Sequence, residues 1–185
     1  QLALLSLLFA LVAGLAGAAA KLSKSRPLRW LATLYTTVVR GVPDLVMMLL
    51  VFYGGQMLVN SVTEYLDAGY FDLNPMVAGV LTIGFIFGAY FAETFRGAFL
   101  AVPPGQLEAG AAYGMTRWQV FARILFPQML RHALPGLGNN WLVLLKSTAI
   151  VSMIGLSDMT WLADQAGRTT REPFLFYLLV CVLYL

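Results

Sequence analysis

Charged residues are few in this chain, and each one inside an apolar run asks for a reason. Glu93 and Arg96 stand three apart within the apolar stretch 76–100, a spacing at which acid and base share one helix face and lower the cost of charge in lipid. The other chemistry open to Glu93 is pore lining or gating. Lys146 lies in a second apolar stretch with Asn139 and Asn140 close by, so the lysine must face a bundle interior or snorkel, and the amides are expected to hydrogen-bond between helices. Asp44, Asp158 and Asp164 lie at the edges of such stretches; with Glu93 they are the acidic groups that a cationic solute would meet. Catalysis finds little support: His132 and Cys181 are the single residues of their kind and far apart in the chain, which leaves no nucleophile with a base and no cluster of metal ligands. No G-x-x-x-x-G-K-[ST] phosphate loop occurs, so the chain is not itself an ATP-driven motor.

The elements that hold these residues follow from composition. Of 185 residues, 59% are hydrophobic and 11% charged, against about a quarter charged in a soluble domain, so most of the surface must meet lipid or protein. Nucleic acid is excluded by the scatter of the basic residues among apolar runs. The stretch 2–20 is uncharged and about 28 Å long as a helix, enough to span. Later spans are expected at about 45–59, 76–100 and 133–156, with a fifth starting after Pro173 and still apolar at Leu185. An apolar lead-in at 31–39 is broken by Arg40-Gly41-Val42-Pro43-Asp44, with Pro43 suited to the first turn of the next helix. The chain starts without Met and stops inside an apolar run, which predicts a piece of a longer protein. Nine of the twelve Lys and Arg residues fall in the segments after the first and third spans, among them Lys21, Lys24, Arg26, Arg29, Arg117, Arg123 and Arg131. The positive-inside rule puts both segments in the cytoplasm, and the acidic stretch with Glu64, Asp67 and Asp72 on the far side.

The segment 102–135 holds the most local information. Pro103, Pro104 and Gly105 stop the third span. The alanine-rich stretch 106–113 then predicts a short cytoplasmic helix with Glu108 near its positive end. Gly114 is placed to end it in a left-handed cap, and Thr116 with Gln119 has the spacing of a capping box opening the next helix. Ala109, Gly110, Ala111 and Ala112 present so little bulk that another protein can approach the backbone closely.

Glu108-Ala109-Gly110, Gly114, and then Ile124 with Pro127 resemble the EAA loop of permease subunits of ATP-binding-cassette importers, written EAA-x3-G-x9-I-x-L-P, with Gly110 in place of the third motif residue Ala and Phe126 in place of Leu. Arg40-Gly41-Val42-Pro43-Asp44-Leu45, the run from Ala89 to Ala98 and the run from Leu134 to Gly155 are similar to segments of polar amino-acid permeases, most of all those for histidine, arginine and opines. The resemblance implies an all-α membrane protein of the type I importer fold. It would form one transmembrane domain over 1–185, of about five membrane helices with a cytoplasmic coupling helix at about 105–114. It further implies that Glu108, Ala109, Gly110, Ala111, Ala112 and Gly114 couple the chain to an ATPase. Implied partners are two cytoplasmic ATPase subunits carrying ATP and Mg, a second permease subunit that is identical or a paralogue, and a periplasmic amino-acid-binding protein; the chain itself is expected to bind no cofactor. Glu93, Asp44, Asn140 and Asp158 are candidates for the solute pathway. The competing class is a stand-alone secondary transporter or channel for a small polar solute, in which 102–135 is only a connector.

Overall fold

The computed structural model describes residues 1–66, 69–70, 74–154 and 156–185, and among these it is helical throughout its regular structure. Asp67, Asp72 and Gly155 lie outside the described residues. The uncharged first run forms α1, Leu2–Leu22, and the chain turns at Ser23 to start α2, Arg26–Gly41, with Pro27 in its first turn. Helix α3 is Asp44–Tyr65 and α4 is Pro75–Ala101. The start of α4 is fixed by Asn74, whose side chain accepts from the Met76 amide at 2.9 Å, and by Pro75, whose missing N–H costs nothing there. Among the described residues three helices, α1, α3 and α4, are long and apolar enough to cross a membrane.

The core is the seam between α1 and α4. Ser6, Ala10, Gly14 and Ala18 recur every four residues on the buried face of α1 and bring its backbone against α4. A Cβ built on Gly14 would lie 2.5 Å from Phe91 Cβ, and one on Gly88 would lie 2.9 Å from both Ala13 Cβ and the Tyr35 hydroxyl. Phe91, Ala89 and Ala92 are wholly buried behind this contact. Helix α2 presents Ala32, Thr36 and Val39 inward, one face at helical spacing, and leaves Trp30 and Leu31 exposed on the other.

After α4 come a short helix α5, Pro104–Ala112, a single turn α6, Arg117–Val120, a π-helical turn, Phe121–Leu125, and the long α7, Phe126–Ser147. A 3₁₀ segment, Thr148–Ile154, leads to α8, Met159–Thr170, and α9, Pro173–Tyr184. Helices α8 and α9 form a tight hairpin, in which a Cβ on Gly167 would stand 2.8 Å from Pro173 Cα.

Several boundaries differ from the expectation. Lys21 continues α1 instead of opening a solvated basic loop, because the half-buried carboxylate of Glu93 receives it. The stretch before Arg40 is a separate amphipathic helix, and Pro43 sits one residue ahead of α3. Helix α3 runs past position 59 to Tyr65 and takes Glu64 with it. The stretch 133–156 is two elements: α7 begins earlier, at Phe126, and gives way to the 3₁₀ segment at Thr148. There the Thr148 hydroxyl donates to Leu145 O at 2.7 Å and the Ser152 hydroxyl to Ala149 O at 2.8 Å, i−3 bonds that favour a tighter winding. Helix α7 is as long as α3 but carries Arg131, His132 and Lys146, and the apolar α9 has twelve residues.

Candidate functional site

The α5 elbow is built by backbone bonds that its sequence dictates. Gly114 adopts φ +80°, donates its amide to Ala111 O at 3.0 Å, and is followed by Met115, whose amide reaches Gly110 O at 3.1 Å. That pair of bonds is a Schellman cap, and the left-handed conformation at its centre favours glycine. The next helix opens two residues later with the expected capping box: the Gln119 amide donates to Thr116 Oγ1 at 3.3 Å and the Thr116 amide to Gln119 Oε1 at 2.8 Å. Pro127 then follows the π turn. It has no amide to give to Arg123, and Phe126 N–H bonds instead to Phe121 O, five residues back.

Gly110 turns inward. It is buried, and a Cβ on it would stand 2.6 Å from Ile124 Cδ1 and 3.3 Å from Val120 Cγ2. The glycine and the isoleucine fourteen residues later are therefore the two sides of one contact that holds α5 to the π turn. Gln128 adds a hydrogen bond to Gln106 Oε1 at 2.5 Å, and Leu107 packs toward the core. The expected four-residue open face is thus corrected to Ala109, Ala111 and Ala112; these, with Glu108 and Gly114, are exposed. Tyr113, 90% exposed, and Trp118, 71% exposed and stacked on Phe121 at 5.6 Å, flank them.

The polar groups of the membrane helices sort onto two faces of α4. On one, Glu93 is paired with Lys21 of α1 and, at 3.6 Å, with Arg96; Lys21 also donates to Thr36 Oγ1 at 2.8 Å. The expected Glu93 and Arg96 pair is present, but Lys21 is the shorter contact and the more buried cation. On the other face, a line of hydrogen bonds joins α3, α4 and α7. The Tyr90 hydroxyl donates to Asp44 Oδ1 at 3.1 Å, Thr94 Oγ1 donates to Tyr90 O at 3.1 Å, and Asn140 Nδ2 donates to Thr94 Oγ1 at 2.9 Å. The Arg40 guanidinium lies over the Tyr90 ring, 5.4 Å from its centre. Asp44 and Asn140 thus both bond to α4, at Tyr90 and at Thr94, while Glu93 pairs with Lys21 of α1 and Asp158 belongs to α8.

Asp158 caps α8, accepting from the Trp161 amide at 2.8 Å. On the same helix Asp164 accepts from Arg168 Nε at 2.8 Å and from the Tyr177 hydroxyl at 3.0 Å. These two bonds, that from Arg168 first, hold its carboxyl below the usual carboxylate range. Lys146 and His132 are exposed. Lys21, Tyr90 and Thr94 carry the α4 network without having been singled out in the sequence. Lys21 was hidden by its place in a basic run, and Tyr90 and Thr94 offer no periodicity beyond that of an apolar helix.

Known proteins share the fold and the family of this chain. The family model described as "Binding-protein-dependent transport system inner membrane component" matches residues 7–185. The histidine/lysine/arginine/ornithine transport system permease protein HisQ of Escherichia coli (strain K12) is 56% identical over 185 residues, which cover 100% of this chain and 81% of that protein. The nopaline transport system permease protein NocQ of Agrobacterium fabrum is 44% identical over 97% of this chain and 77% of its own. Among solved structures, an amino acid ABC transporter crystallised with histidines matches with a TM-score of 0.81 and 33% identity, over 99% of this chain and 80% of that one. The methionine transporter MetNI in an inward-facing conformation shares the fold, with a TM-score of 0.70 and 16% identity over 99% and 84% of the two chains. The all-helical architecture is thus the type I importer fold, and the chain belongs to the family of binding-protein-dependent transport system inner membrane components, the permease subunits of ATP-binding-cassette importers.

Proposed function

We propose that this chain carries a basic amino acid or an opine inward across the bacterial inner membrane, as one of two permease subunits served by cytoplasmic ATPases and a periplasmic binding protein. The single domain 1–185 supplies the membrane helices, and ATP and Mg are held on the partner ATPase. The observation that carries the reading is the α5 elbow. A short helix with exposed Glu108, Ala109, Ala111 and Ala112 is joined to α7 by the Gly110–Ile124 contact, a Schellman cap at Gly114 and a capping box, so a push on α5 is passed to the membrane helices as rigid-body motion. The small side chains of α5 suit a close seat in a groove of an ATPase. Gly110 serves coupling from the inside, as the joint to α7.

The substrate class is supported by the names of the relatives, which are transporters of histidine, lysine, arginine, ornithine and nopaline. For the route, the hydrogen-bonded line from Asp44 through Tyr90 and Thr94 to Asn140 gives a solute a polar track on α4; Glu93 and Asp158 contribute through the packing of α1 and the placing of α8. The test uses the full-length chain in liposomes with its neighbouring permease, ATPase and binding protein. Stimulation of ATP hydrolysis and uptake by arginine, histidine, lysine, ornithine or an opine is the expected result. Failure of the ATPase to assemble with this chain, or uptake by this chain with no ATPase present, overturns the reading.

A further inference from the structure

A groove runs between α1 and α2, outside both the coupling elbow and the α4 track. Phe9, Ala13, Ala16 and Ala20 form one wall, Leu28 and Leu31 the other, and the space between measures about 510 Å³. From Phe9 to Ala20 the α1 wall is about 16 Å long, close to half of a hydrocarbon core of about 30 Å, which is the depth of one leaflet. Tyr35 also lines the groove, but its hydroxyl is spent on Phe85 O, so the walls offer no free polar side chain.

The groove has a charged end. Leu2 stands by Gly79, Phe9 by Gly84 and Gly14 by Phe91, so α1 and α4 run in the same direction, and Ala20 belongs to the end from which α5 follows α4. Lys24 lies in the α1–α2 turn, four residues after Ala20 on one wall and four before Leu28 on the other. Arg26 is the first residue of α2, and Arg29 follows Leu28. All three cations are exposed and have no acidic partner among the described residues; the sequence holds no Asp or Glu before Asp44.

We infer that this groove holds an acyl chain of one anionic phospholipid, with the lipid phosphate at Lys24 and Arg26, in the leaflet on the α5 side. Nothing in this depends on which solute the chain carries. A trough without free polar groups suits a hydrocarbon chain, and unpaired cations at its headgroup end suit a negative head. A zwitterionic head brings its own cation and gains less there, while a free phosphate would use the cations and leave the trough bare. Helix α2 itself has the make of an interfacial helix: with 16 residues it is too short to span, and it leaves Trp30, Leu34 and Val38 exposed beside the groove. Tryptophan is enriched at the depth where headgroups meet acyl chains.

The experiment is native mass spectrometry of the complete permease–ATPase complex in detergent, titrated with phosphatidylglycerol or with phosphatidylcholine of the same acyl chains. Phosphatidylglycerol should bind about tenfold more tightly than phosphatidylcholine, and the double variant Lys24→Gln, Arg26→Gln should lose about that factor for phosphatidylglycerol alone. Ala16→Trp, at an exposed position, fills the trough and should weaken both lipids while the melting temperature of the complex holds. Wild-type lipid binding in both variants overturns the site. Displacement of phosphatidylglycerol by excess inorganic phosphate does so as well, since it would show an anion site without an acyl chain. A photoreactive benzoylphenylalanine placed at Leu31 should cross-link to lipid in native membranes; a cross-link to the neighbouring permease instead would show that protein covers the groove, and would overturn the inference. Solute-stimulated ATP hydrolysis on the same preparation keeps the two readings apart. A complex that responds to an amino acid but retains no phosphatidylglycerol defeats the lipid site and leaves the function above standing, whereas lipid bound as described with no response to any amino acid supports the site and counts against that function.

Discussion

Glycine brings two surfaces into contact at both the α1–α4 seam and the α5 elbow, but what stands opposite differs. At the seam, a Cβ on Gly14 would meet Phe91 Cβ at 2.5 Å and the Phe91 carbonyl carbon at 3.1 Å, atoms that move only if the helix moves. At the elbow, a Cβ on Gly110 would meet Ile124 Cδ1 at 2.6 Å, the far end of a side chain that can change rotamer. At Gly14 the seam is therefore closed to a larger residue, whereas the elbow can admit alanine with a small adjustment. That is consistent with the alanine that the EAA pattern carries at this place.

Substitutions separate the two cases. Gly14→Leu should have the largest effect: the seam opens, and overpacking costs more than about 3 kcal/mol, read as loss of folded complex from the membrane and of a cooperative melt in detergent. A Gly14→Leu complex that melts as wild type would show that the seam is loose. Next comes the ion pair that crosses the seam. Glu93→Gln leaves Lys21 buried without its counter-charge and should cost about 3 kcal/mol, with much of that recovered in the double variant Lys21→Met, Glu93→Gln. Additive losses in that cycle would deny the coupling between the two residues.

At the elbow the effects should fall on function more than on folding. Gly114→Val forces a β-branched residue into φ +80° and should abolish solute-stimulated ATP hydrolysis while the chain remains inserted, as should Glu108→Lys by placing a cation on the exposed face of α5. Normal uptake by both variants would remove the coupling assignment. Thr116→Ala breaks the capping box and should cost about 1 kcal/mol, seen as a small drop in melting temperature with weakened stimulation. Gly110→Ala should be the mildest, within about 1 kcal/mol of wild type, and any loss should shrink when Ile124→Val removes the facing methyl group. A Gly110→Ala defect as severe as that of Gly14→Leu would erase the distinction between the two contacts.

How far the sequence led depends on whether a feature is local. The Schellman cap, the capping box and the start of α4 follow from residues within five positions of one another, and they were legible. Lys21 was not, because its partner lies 72 residues away and a basic run reads as a solvated loop until a carboxylate is found facing it. The small residues of α1, every fourth from Ser6 to Ala18, did carry a readable signal for close helix packing, and it was passed over within a uniformly apolar run. Helix α8 offered less. Its capping Asp158 resembles any polar residue at a membrane edge until the Trp161 amide is seen to use it. The end of α7 depended on two hydroxyls choosing their own i−3 carbonyls, a competition that composition does not report.

The π turn between α6 and α7 governs bearing as well as continuity. An α-helix advances about 100° per residue, so the one residue that a π turn accommodates beyond an α turn rotates everything before it by about that angle around the axis of α7. The compass direction in which α5 projects is therefore set by a single surplus residue within Phe121–Leu125. Deleting one residue there would leave every local cap intact and aim the elbow at a different side of the molecule.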